Sequence, residues 1–141
     1  MQTALSSHTL TAFDHVGIRV TNKSKAIQFY ERLGFRQTGY FPKHEANEMT
    51  NDHGLRINLI FNASARAQNN NVLLDQAIKW PGITHPAFVV DDLYALRDWL
   101  IKEGIKITED IHPLGPRRIT LFIRDLDGNV LEFNQLTQPN T

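Results

Sequence analysis

Apolar and polar residues alternate singly from Phe13 to Val20, with Val16, Ile18 and Val20 on one side and Phe13, His15, Gly17 and Arg19 on the other. Alternation of period two predicts a half-buried strand. Asn22 then supplies an N-cap, and Ala26, Phe29, Tyr30 and Leu33 fall at helical spacing until Gly34 stops them, so a helix is expected over about 23–33. Residues 35–41 read as a strand, 42–46 as a loop and 47–51 as a weak strand. After the turn Asp52-His53-Gly54, the residues Leu55, Ile57, Leu59 and Phe61 alternate with Arg56, Asn58, Ile60 and Asn62, which is a strand with one apolar face.

A connector rich in Asn and Ala follows, with Val72-Leu73-Leu74 as a local packing element, and then the pattern begins again. Thr84 to Val90 alternates, Asp92 caps a helix carrying Leu93, Leu96, Trp99 and Leu100, and Gly104 ends it. Ile105 to Ile107 begins a strand, 111–116 reads as a proline-containing loop, and Arg118 to Arg124 alternates strictly with Ile119, Leu121 and Ile123 facing the core. In the last strand Leu131 and Phe133 point one way while Val130, Glu132 and Asn134 point the other. The second pass repeats the first: His85, Asp92, Trp99 and Gly104 each lie 70 positions after His15, Asn22, Phe29 and Gly34, and Gly128 and Glu132 lie 74 after Gly54 and Asn58. The chain therefore reads as two tandem βαβββ modules, an α+β fold in which a mixed, cup-shaped sheet carries its helices on the outer face. The expected limits are a tail at 1–12 and a single domain at 13–136, made of modules 13–62 and 84–136 joined by the connector 63–83.

Composition narrows the partners. A chain of 141 residues suits one domain, and its 15 basic and 15 acidic residues cancel, so nothing draws it to nucleic acid or to an anionic membrane. It has no cysteine, which removes disulfides, thiolate metal sites and cysteine nucleophiles together. The first twelve residues carry neither a charged-then-apolar leader nor a spanning run, so a cytoplasmic protein acting on a small molecule is expected.

A lone strand carboxylate such as Glu132 is ordinarily solvated. The repeat changes that reading, because His15 and His85 are equivalent on the first strands, Asn58 and Glu132 are equivalent on the fourth, and alternation turns all four into the cup. Two imidazoles and a carboxylate with positions left open suit a divalent metal such as Fe(II), Mn(II) or Zn(II).

The motifs Phe13-Asp14-His15-Val16-Gly17-Ile18, Phe29 to Phe35, Thr84 to Asp92 and Arg124 to Phe133 resemble those of the vicinal oxygen chelate superfamily, which includes glyoxalases, bleomycin-resistance proteins and extradiol dioxygenases. The resemblance covers 13–136 and implies paired βαβββ modules, a metal held by His15, His85 and Glu132, a substrate chelating it through adjacent oxygens, and a homodimer. Two residues depart from the pattern. Asn58 stands where glyoxalase I has a carboxylate that serves as ligand and base, and an amide cannot be that base. Leu126 replaces the proline common in the family's Asp-Pro-Asp-Gly turn. The resemblance to extradiol dioxygenases implies Fe2+ first, with Mn2+, Zn2+ or Ni2+ as alternatives, and places Phe122 where they generally have a Tyr. By alternation Arg118 projects inward beside Thr120 and, with Arg56, is a candidate to bind an anionic substrate group, while Asn58 is either a weak oxygen ligand or the residue that orients a metal-bound water. His112 is the candidate catalytic acid or base. The competing classes are a fosfomycin-type thiol transferase, a lyase or epimerase, and a metal-free drug-binding resistance protein.

Overall fold

Asn22 and Asp92 open the two helices, each accepting a hydrogen bond at 3.0 Å through its side-chain oxygen from the backbone N–H three residues on. The computed structural model describes residues 9–137. Its elements run β1 (Val16–Arg19), α1 (Lys23–Arg32), β2 (Arg36–Phe41), β3 (Ala46–Thr50), β4 (Arg56–Ile60), β5 (Ala87–Val89), α2 (Leu93–Lys102), β6 (Ile107–Pro113), β7 (Arg118–Arg124) and β8 (Val130–Leu136). Short 3₁₀ turns occupy Pro42–His44 and Ala67–Asn69. Of the expected N-terminal tail, residues 1–8 lie outside the described residues, and 9–12 form no regular element.

The strands form two four-stranded sheets, ordered β1-β4-β3-β2 and β5-β8-β7-β6, so each module is a βαβββ unit as the repeat predicts. The registers repeat as well as the order. Gly17 pairs with Asn58 in the first sheet and Ala87 with Glu132 in the second, and both pairs are parallel. The sheets are separate: β1 and β5 are both edge strands.

One core serves both modules, built on Val20, Tyr30, Met49, Ile57 and Leu59 from the first and Leu93, Leu100, Leu121, Ile123 and Leu131 from the second, all fully buried. Phe88 bridges them, edge-on to Phe35 at 6.3 Å and stacked on Phe133 at 5.7 Å. The β7–β8 turn adds polar ties back to the first module: Tyr30 Oη donates to Asp125 Oδ2 at 2.7 Å, Thr21 Oγ1 to Asp127 Oδ1 at 2.6 Å, and Asn129 Nδ2 to the Arg19 carbonyl at 3.0 Å.

One element differs from the sequence reading. Residues 111–113 continue β6 and are not a loop, which puts His112 on a strand. Pro113 is tolerated there because β6 is the outer edge of its sheet, where a missing N–H breaks no inner ladder. Irregular register on both sides of Glu109 hides the alternation that would have revealed the strand. Among the described residues, no helix is long and apolar enough to cross a membrane.

Candidate functional site

The second sheet supplies the best-formed polar site. In β8, Leu131 and Phe133 enter the core, and alternation therefore sends Glu132 and Asn134 to the concave face. Antiparallel and parallel partners share a face, so one row crosses the sheet there as Ala87, Glu132, Phe122 and Glu109. His85 precedes β5 by two residues and reaches this row. Its Nε2 lies 2.9 Å from Glu132 Oε1, and its ring meets Phe122 edge-on at 5.5 Å. A carboxylate only accepts, so Nε2 carries the hydrogen of that contact, and the 2.8 Å contact between His85 Nδ1 and Thr84 Oγ1 serves the other side of the ring. Glu132 is buried at 7% exposure, with Asn134 Nδ2 donating to its second oxygen at 2.6 Å. Beside the pair opens a cavity of about 430 Å³ lined by Leu74, His85, Thr108, Glu109, Phe122, Arg124 and Val130.

The first sheet carries the counterpart. His15 precedes β1, and its Nδ1 lies 2.7 Å from Asp14 Oδ2, a hydrogen bond that holds the Asp14 carboxyl below its ordinary value. Asn58 sits opposite Gly17, with its Oδ1 buried and without a partner. Arg56 is exposed, 3.5 Å from Asp14 Oδ1. Among the described residues of one chain, no three His, Asp or Glu side chains are grouped to hold a metal. The structure thus brings His85 and Glu132 together and leaves His15 and Asn58 on the other module.

The His85–Glu132 pair fits a cation. Two donors about 2.1 Å from one ion and at right angles to each other stand about 3 Å apart, close to the 2.9 Å observed. The unpartnered Asn58 oxygen is a further neutral donor of the kind hard cations accept. Of the remaining candidates, Phe122 walls the cavity. Thr120 is fully buried beside Asn134, and its Oγ1 is 3.4 Å from the Phe133 carbonyl. Arg118 pairs in register with Leu136, two rows from Glu132, and does not line the cavity. His112 is exposed, its Nδ1 donates to the Asp110 carbonyl at 2.8 Å, and it too stands outside the cavity lining.

The model of the Glyoxalase/Bleomycin resistance protein/Dioxygenase superfamily matches residues 12–133. The chain belongs to this superfamily. Its fold is similar to that of a glyoxalase/dioxygenase from Nostoc punctiforme, with 15% identity, TM-score 0.71 and 98% of this chain and 99% of that one covered. A glyoxalase family protein from Bacillus cereus shares 17% identity at TM-score 0.69, covering 96% and 100% of the two chains. A virulence protein from Salmonella typhimurium shares 23% identity at TM-score 0.63, covering 90% and 98%. At these identities the likeness is one of fold. Among curated proteins, none matches the chain.

For this superfamily member, sequence reasoning overlooked three parts of the site. Glu109 and Thr108 belong to the bulged β6, whose broken alternation gave no signal. Leu74 and Arg124 come together because Asp75 of the connector takes Arg124 in a two-pronged ion pair at 2.6 and 2.7 Å, which closes that side of the cavity. Asn134 was visible on the right face of β8, but its bond to Glu132 depends on side-chain geometry that no spacing rule contains.

Proposed function

We propose that the chain is a metal-dependent enzyme that binds a small substrate through adjacent oxygens, with extradiol-dioxygenase-like chemistry the best-supported form. The observation that carries this reading is the buried Glu132 paired with His85, whose ring lines a cavity of about 430 Å³, within the size range of small-molecule sites. His85 and Glu132 would hold the metal, His15 would complete the set, and Asn58 would add a weak oxygen donor. A bound divalent ion would supply Lewis-acid activation of the chelating oxygens and, as Fe(II), a seat for dioxygen. The chain's own residues do the rest. Phe122 stacks edge-on to His85 and offers an aromatic wall to a flat substrate, and the buried floor excludes water from the carboxylate. Arg124 is already neutralised by Asp75, which gives little support to a phosphonate-binding thiol transferase.

A homodimer belongs to the same proposal. His15 and the His85–Glu132 pair lie on different modules, and the edge strands β1 and β5 are flanked by exposed apolar residues, with Leu10, Phe13 and Ile83 each more than 80% exposed. An open edge with apolar neighbours is a pairing surface, and a second copy would bring a first-module His15 to a second-module pair.

The test is metal analysis of untagged protein beside His15→Ala, His85→Ala and Glu132→Gln, followed by oxygen uptake with a panel of catechols after anaerobic Fe(II) loading. Near-stoichiometric metal in the wild type and a loss of tenfold or more in affinity in each variant are expected. Equal, negligible metal in all four proteins would sink the metal reading. Metal binding without oxygen uptake would remove the dioxygenase form alone.

A further inference from the structure

Glu132 is held at both oxygens, and one of the holders has no role in the reading above. Asn134 lies two residues further along β8 on the same face, 4% exposed, and its Nδ2 donates to Glu132 Oε2 at 2.6 Å. Because a carboxylate only accepts, the amide nitrogen must face Glu132, which turns Oδ1 away from it. That Oδ1 is buried and finds no partner. Thr120, directly opposite Asn134, directs its hydroxyl to the Phe133 carbonyl and does not compete for the amide. Phe122 and Ala87, the partners on either side of Glu132, carry no side-chain donor. Among the described residues, the only side chains hydrogen-bonded to the Glu132 carboxylate are therefore His85 at Oε1 and Asn134 at Oε2. One of the two is itself a proposed ligand, so Asn134 alone fixes the carboxylate without being consumed by the ion.

We propose that Asn134 is the positioning residue of this centre: by occupying Oε2 it presents Oε1 alone to the cation, so that Glu132 binds through one oxygen and does not swing to chelate through two. The inference rests on the metal reading above. Asn134→Leu keeps the volume and removes the donor, and Asn134→Ser is too short to reach Oε2. Partners that orient a metal ligand typically change metal affinity about 10- to 100-fold when removed.

The full chain, stripped of metal, is titrated with Zn(II) by calorimetry, and the visible absorption of the Co(II)-loaded protein is recorded for the wild type, both Asn134 variants and Glu132→Gln. Folding of each is checked by its melting temperature. In a folded Asn134 variant the expected result is Zn(II) binding weaker by about 10- to 100-fold, with a fainter Co(II) spectrum as the freed carboxylate adds its second oxygen to the ion. A purely structural Asn134 would leave that spectrum unchanged. Wild-type affinity and spectrum in either folded variant, with binding lost in Glu132→Gln, overturns the inference and leaves the metal reading intact. Failure of both variants to fold assigns Asn134 to the scaffold and overturns it equally. If neither ion binds the wild type, the metal reading itself falls, and this inference with it.

Discussion

Tyr30 shows how much a single side chain carries in this fold. Its hydroxyl is fully buried against Asp125, and burial first, then the Asp125 charge, pushes its ionisation well above the ordinary range. Burial also raises Asp125 above the ordinary aspartate value, against the hydrogen bonds from Asn129 and Tyr30 that pull it down. A carboxyl whose folded value is raised favours folding in its protonated form, so its contribution is lost as pH rises through the range above 3.8. Tyr30→Phe removes one donor from an ionised, buried oxygen and should cost about 1–3 kcal/mol in urea unfolding. The loss should shrink below the ordinary aspartate value, where Asp125 is neutral; an equal loss at both pH values would count against this account. Helical spacing placed Tyr30 in the core correctly, but its partner lies 95 residues away and left no trace in the pattern. Glu132 was legible for the opposite reason, since alternation fixed its face and the repeat gave it company.

At the scale of elements, the caps and most strands were written locally and the exceptions have local causes. Asn22 and Asp92 announce their helices through chemistry confined to four residues, whereas β6 is masked by its own bulges and by an edge proline. The connector is the element the sequence described least. Asp75 joins it to β7 through Arg124, and that hydrogen-bonded partner holds the Asp75 carboxyl at about 2, below its ordinary 3.8. A depressed carboxyl stabilises the fold above its ordinary value and loses that stabilisation as pH falls from 3.8 towards about 2. Asp75→Asn should therefore melt lower than the wild type at pH about 5 and draw level with it near pH about 2. It should also speed proteolytic cleavage between 70 and 80, because the connector loses its latch on the cavity wall. The same melting gap at both pH values would mean that the ion pair does not bind the connector.

At the scale of the molecule, the duplication was fully visible in the offsets, while the chain to which His15 would bring its imidazole was not. Offsets of 70 and 74 are the same whether His15 joins Glu132 of its own chain or of another, so only association can decide it. Mixing His15→Ala with Glu132→Gln after unfolding and refolding gives a direct reading. In a symmetric dimer with shared sites, a mixed pair contains one site with His15, His85 and Glu132 all intact, so about half of the mixed dimers' metal capacity should return. Sites built within single chains would recover nothing.

Gly128 bears on the path that the connector takes between the modules. A Cβ there would run into the Asn69 carbonyl, and Asn71 Nδ2 also donates to the Gly128 carbonyl at 3.1 Å, so the middle of the connector is stapled to the second module's last turn. The path from the first module to that staple is therefore only the seven steps from Asn62 to Asn69, a reach of about 25 Å at full extension. Residues added before Asn69 would bulge at the cleft of about 870 Å³ that this stretch borders, and residues added after Asn71 would loop out beyond the staple; in both cases the shared core keeps the spacing of the two halves as it is.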